Sequence, residues 1–152
     1  MKTSILFALL ASAFVSAGCG SSNQAMETQK PVTSDKPLYE RLGGQDAITA
    51  VVDDFVANIA ADGMINARFA NTDIPHLKQM LVEQICSATG GPCKYSGKSM
   101  VEAHTGMKIT DAEFGALVAD LKKTLDKFKV PAREQGVLLG ALGAMKPDIV
   151  NK

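Results

Sequence analysis

Tryptophan is absent from this chain, tyrosine occurs twice, and aromatics make up only 5% of its 152 residues. Leu, Ala, Val and Met must therefore build most of the core, which suits helices better than a sheet. The formal net charge is zero, with no basic block and no aromatic-interleaved basic stripe, so nucleic-acid binding lacks its electrostatic footprint. No Cys-x-x-Cys-His occurs, and no second Cys/His pair stands at metal-ligand spacing. Internal repeats are missing. Asp53-Asp54 reads as a solvated face and Asp111/Glu113 as a helix start, so no acid–base pair or nucleophile motif marks an enzyme. Histidine is limited to two residues, His76 and His104.

At 46% hydrophobic residues, the chain has the composition of one globular domain behind a targeting segment. Lys2 supplies the positive start, and Ile5 to Val15 form an apolar run too short to span a bilayer. Small residues follow, so residues 1–18 are expected to be a signal peptide. Ser16-Ala17-Gly18-Cys19 resembles a lipobox, in which Cys19 is lipidated and anchors the chain to a bacterial membrane. Val15-Ser16-Ala17 also fits ordinary cleavage, which leaves the protein simply exported to the periplasm. Residues 19–35 are polar and read as a flexible tether. The domain is expected over 36–150, close to neutral once Lys2 is removed.

Within that domain the apolar period is helical throughout. After a short turn at Leu38-Tyr39-Glu40-Arg41-Leu42 and a double glycine, Ile48, Val51, Val52, Phe55, Val56 and Ile59 share one helix face. Met64 to Phe69 reads as an irregular turn. Thr72 or Asp73 caps the next helix, with Pro75 in its first turn. Its stripe is Leu77, Met80, Leu81, Gln84, Ile85 and Ala88, and Gly90-Gly91-Pro92 stops it. A short helical turn carries His104. Thr110-Asp111-Ala112-Glu113 is a capping box opening a helix that buries Phe114, Leu117, Val118, Leu121, Leu125 and Phe128. The last helix starts at Pro131, shows Val137, Leu138, Ala141, Leu142 and Met145 on one face, and is expected to break at Pro147. The fold class is all-α, with two helix pairs able to pack around something between them.

Cys86 and Cys93 flank the Gly90-Gly91 corner. In an exported chain they are expected to pair, closing a short loop for roughly 2.5 kcal/mol; the alternative is two unpaired buried thiols.

Leu38 to Gly44, the Phe69-Ala70-Asn71-Thr72-Asp73 corner, Gly90-Gly91 and Ser99-Met100-Val101-Glu102-Ala103-His104, in that order, resemble the group I truncated globins. That resemblance implies a two-over-two helical sandwich holding a non-covalent haem b. His104 takes the place of the proximal iron ligand, with Met100 under the same face of the porphyrin. Phe69 matches the aromatic packed flat on haem. Phe55, Met107 and Phe114 complete the expected lining. Lys94, Tyr95 and Lys98 are near enough in sequence to reach the propionates. Relatives that hold O2 tightly place a tyrosine on the second helix, assisted by a glutamine on the next. Here the tyrosine position is Val56 and the facing positions are Leu77, Met80 and Leu81, none a hydrogen-bond donor. Gln84 is the one polar residue on that stripe and a candidate donor, Met80 a candidate sixth ligand, and His76 lies one residue off the face. The expected partner is a diatomic gas (O2, NO or CO), with an unidentified reductant. The alternatives are a His/Met electron-transfer haem protein and a haem-free helical interaction lipoprotein.

Overall fold

The computed structural model describes residues 36–152; the leader, the tether and Cys19 lie outside them. Six helices follow in order: α1 (Leu38–Arg41), α2 (Gly44–Ala61), α3 (Ile74–Ala88), α4 (Met100–His104), α5 (Asp111–Lys127) and α6 (Ala132–Ile149). Among the described residues there is no strand, only an isolated bridge between Ile109 and Val150. Helix α2 packs on α3, α5 packs on α6, α2 and α5 bring the two pairs together, and α4 leans on α6. This is the expected two-over-two arrangement.

The double glycine before α2 turns the chain with positive φ at both Gly43 and Gly44. A Cβ on Gly43 would fall 2.8 Å from that of Ala47, so glycine is required there on two counts. Ile48, Val52, Phe55, Val56 and Ile59 then point inward as their spacing predicts. Opposite them, Leu121 and Leu125 of α5 are buried. Between the two helices Asn58 Nδ2 donates to the fully buried Thr124 hydroxyl at 2.8 Å. Lys127 pairs with Asp54 one turn away, so α2 and α5 run antiparallel.

Several details depart from the sequence reading. The segment expected to be irregular contains a 3-10 turn, Asn66–Phe69, preceded by Ile65, which is buried in the main core. Asp73 rather than Thr72 caps α3, accepting from the His76 amide at 3.1 Å. Phe128 is 40% exposed, because α5 ends at Lys127 and the stripe was extended past its last turn. The termination is a Schellman arrangement with Lys129 at φ +55. There the Val130 amide donates to the Leu125 carbonyl and the Lys129 amide to that of Asp126, satisfying carbonyls the helix leaves open.

Helix α6 is rotated from expectation. Val137 is 49% exposed and Ala141 is exposed, whereas Leu138, Leu139 and Leu142 pack on the core. One turn before Leu138, Glu134 also faces inward and is buried. Arg41 of α1 neutralises it at 2.5 Å. Pro147 does not break the helix, which runs on to a buried Ile149. So near the C-terminus proline forfeits one backbone bond, and the next turn closes with Val150 donating to Lys146 at 2.9 Å.

Cys86 and Cys93 form a disulfide. Replacing both with serine should lower stability by roughly 2.5 kcal/mol in denaturant unfolding, the chain-entropy value for so short a loop.

Asp120 is buried on α5 with one carboxylate oxygen lacking a hydrogen-bond partner. Burial pushes its pKa up, Asp62 adds to that, and Lys123 opposes it. Because the folded pKa is the higher, this group's contribution is fully present below the ordinary carboxyl range and is lost as pH rises. Asp120→Asn should therefore stabilise the fold by about 1 kcal/mol at pH 7 and give no gain near pH 3, measured by thermal unfolding at both values.

Candidate functional site

The candidate ligand stands on α4, only five residues long. Its N-terminus carries a capping box. Ser99 Oγ accepts the Glu102 amide at 3.2 Å, while Glu102 Oε2 accepts the Ser99 amide at 3.0 Å. His104 is the last helical residue and is half-buried. Its Nδ1 stands 2.8 Å from the Met100 carbonyl oxygen. A carbonyl only accepts, so Nδ1 carries the hydrogen and the Nε2 lone pair points away from that bond. Such an imidazole is a ready metal ligand with a fixed ring orientation.

The residues expected to line the site fall into two walls. Phe55 belongs to the core cluster with Ile59, Ile65, Leu121 and Leu125, against which Phe69 and Leu81 pack. Val56 joins Ile48 and Val52, with Leu81 and Ile85 of α3 against them. Across from these, Phe114, Ile109 and Ile149 form a cluster backed by Met100, Met107 and Met145. Gln84 joins the walls: its Nε2 lies 3.6 Å from both Met100 Sδ and Met145 Sδ. The donor proposed from sequence is thus turned toward two methionine sulfurs, which are weak acceptors.

Protein atoms only half-bury the α3 stripe. Leu77, Met80, Leu81, Gln84 and Ile85 are all intermediate, and so are Met100, His104, Met107, Val118, Leu142 and Met145 facing them. Ala88 at the end of the stripe is exposed, and Cys86 is the buried residue of that helix. Two half-buried apolar walls with one imidazole at the edge suit a flat apolar group bearing a metal. Among the described residues no three His, Cys, Asp or Glu side chains gather to hold a bare metal ion.

The approach loop is tied to α3. Ser96 donates to Glu83 through its amide at 3.1 Å and its hydroxyl at 2.7 Å, and these bonds, led by the hydroxyl, hold the Glu83 carboxyl below its usual range. The Tyr95 hydroxyl donates to the Lys98 carbonyl at 2.8 Å. Burial pushes the Tyr95 pKa up, and the Glu83 charge adds to it. Lys94 and Lys98 are exposed. A Cβ on Gly91 would lie 2.6 Å from Cys86 Sγ and from the Tyr39 ring, so the corner admits no side chain there. His76 is exposed, and its amide donates to the Asp73 cap of α3.

One contact escaped the sequence reading. Arg68, beside Phe69, donates through Nε to Glu113 Oε1 at 2.7 Å and through Nη1 to the Met107 carbonyl at 3.0 Å. Arg68 first, then the Thr110 cap, hold the Glu113 carboxyl down at about 2. No local pattern announces a partnership spanning 45 residues.

The model of the bacterial-like globin family matches residues 37–151. A group 1 truncated haemoglobin from Mycolicibacterium paratuberculosis is 34% identical over 112 residues, covering 74% of this chain and 82% of that relative. The crystal structure of the Tetrahymena pyriformis truncated haemoglobin in its Fe(III) form superposes with a TM-score of 0.74 at 31% identity, over 77% of this chain and all of the other. A Synechococcus 2/2 haemoglobin, in the cyanomet state and with covalently attached haem, gives 0.72 at 30% identity, again over 77% and 100%. The chain belongs to the bacterial-like globin family, as a truncated haemoglobin of the group 1 type. That family implies a haem, and the imidazole and half-buried walls fit one.

Proposed function

We propose that this chain binds haem b without a covalent link and takes up a diatomic gas reversibly, with His104 Nε2 as the iron ligand. The observation carrying this reading is the His104 Nδ1–H bond to Met100, which fixes the tautomer a proximal ligand needs. When bound, the group supplies an iron with one position open to a small gas. The chain's own residues do the rest. The apolar walls exclude water, and Val56, Leu77, Met80 and Leu81 offer no hydrogen-bond donor; Gln84, the donor on that stripe, is turned toward the Met100 and Met145 sulfurs. With no Cys-x-x-Cys-His motif in the sequence, burial and polar contacts at the rim are left to hold the porphyrin. Export with a lipid on Cys19 is supported by the leader pattern, and by a disulfide of the kind that persists in oxidising compartments.

Hemin titrated into the purified full chain should give a Soret band at one equivalent, and His104→Ala should abolish or shift it. A chain that stays colourless overturns the proposal. High-spin spectra in both oxidation states support an open site. A low-spin spectrum that Met80→Leu converts to high-spin supports the electron-transfer reading instead.

A donor in a dry site stabilises a polar oxygen ligand by about 1–3 kcal/mol. Val56→Tyr should therefore slow O2 release about tenfold or more in stopped-flow displacement by CO, with little effect on CO release. Equal release rates from the two proteins would mean that Val56 does not face the ligand.

A further inference from the structure

We infer that Arg68 is a positioning residue for His104, clamping the segment that leaves α4 to the corner that carries Phe69. The inference concerns the placement of the imidazole, and its use in holding a haem rests on the reading above.

A five-residue helix has no stability of its own, since nucleation alone costs more than its few hydrogen bonds return. Helix α4 must therefore be held from outside at both ends. At its N-terminal end the work is shared by the Ser99–Glu102 capping box, the Ser96–Glu83 bonds and the Cys86–Cys93 disulfide. At its C-terminal end the chain turns sharply through Gly106 at φ +84. The Met107 amide donates back to the His104 carbonyl at 3.0 Å. The Met107 carbonyl is then taken by Arg68 Nη1 at 3.0 Å. One residue on, the Lys108 amide donates to the Lys152 carbonyl at 2.8 Å. The peptide following the histidine is thus anchored on one side by the C-terminal tail and on the other by Arg68.

The guanidinium is itself fixed. Its Nε bonds Glu113 Oε1 at 2.7 Å, while Glu113 Oε2 accepts from the Thr110 amide and hydroxyl, each at 2.8 Å. One carboxylate therefore caps α5 and aims Arg68. Arg68 stands in the 3-10 turn beside Phe69, which packs on the Phe55 cluster. A rigid fork with two donors in fixed directions suits this task, and a lysine ammonium can satisfy only part of it. Arg68 and Glu113 side chains keep 36% and 16% exposure, and pairs so placed contribute little to global stability. The effect of breaking this one is accordingly local.

Amide hydrogen exchange on the full chain without hemin tests the inference. Arg68→Met should speed exchange at Thr105, Met107 and Lys108 about tenfold, while amides of Val52–Ile59 and Leu121–Leu125 stay within about twofold of the parent. Arg68→Lys should give a smaller rise, about threefold, because it retains charge and one bond; it also stands in if the methionine variant does not fold. In the hemin-loaded protein the same series should rank in the same order for hemin transfer to an excess of acceptor apoglobin. Unchanged exchange at 105–108 overturns the inference, as does a uniform loss of protection over all helices, which would make Arg68 a general stabiliser. Failure to take up hemin would sink the functional reading alone, since exchange is read without it.

Discussion

A single hydrogen bond, His104 Nδ1–H to the Met100 carbonyl, is the constraint around which this molecule is organised. It lies within one turn of a helix too short to persist by itself. Donor and acceptor hold their places only because the segments before and after them are immobilised by partners far away in sequence. Before the helix those partners are the disulfide and Glu83; after it they are Arg68 and the carbonyl of Lys152. The bond also decides the chemistry, because it commits one ring nitrogen as donor and leaves the other as base. A histidine elsewhere on the same face, without that carbonyl, would be free to turn and to exchange tautomers.

The walls follow a different logic. Between α2 and α5 two polar pairs, Asn58 with Thr124 and Lys127 with Asp54, sit among apolar side chains, and the buried Asp120 keeps one unpartnered oxygen. Facing the cleft, the side chains are Leu, Met and Val at intermediate burial. Methionine is unbranched and polarisable, so a wall rich in it adapts to a flat partner without a unique fit. Gln84 crosses between the walls toward two of these sulfurs. Among the described residues, the buried charged ones are Asp120 on α5 and Glu134 at the α1–α6 junction, where Arg41 meets the latter.

Much of this was legible in sequence, and the limits have physical causes. Helix existence, the α2 face, the Thr110–Glu113 cap and the Cys86–Cys93 pairing all rest on short-range rules of spacing and chemistry. They appear in the structure where they were expected. The role proposed for His104 rests on a motif order that resembles a family rather than on periodicity. Other features needed distant partners or fine local geometry. Glu134 is buried against Arg41, 93 positions earlier, whereas Val137, expected in the inward face of α6, is exposed. Ile65 was hidden in a stretch with no period because one 3-10 turn is too short to have one. Pro147 reads as a breaker, although a proline so near the helix end gives up a single bond. The Ser99–Glu102 capping box has the Ser-x-x-Glu spacing that marks a helix start.

The two sides of the cleft are unequally specified. On the histidine side, position is over-determined by a tautomer-fixing bond, a capping box, a cross-link and a guanidinium fork. On the Val56 side, Val56 is buried with Ile48 and Val52 against Leu81 and Ile85, and Gln84 is held only by two weakly accepting methionine sulfurs. On the haem reading, such a division assigns retention and iron geometry to the first side and leaves ligand choice to shape and polarity alone. A pocket whose stripe donor, Gln84, is turned to sulfur rewards a polar ligand little, since discrimination by hydrogen bonding needs a fixed donor near the ligand atom that bears charge. Selectivity among small gases would then be weak by construction, and one buried side chain at position 56 is the smallest change able to restore it.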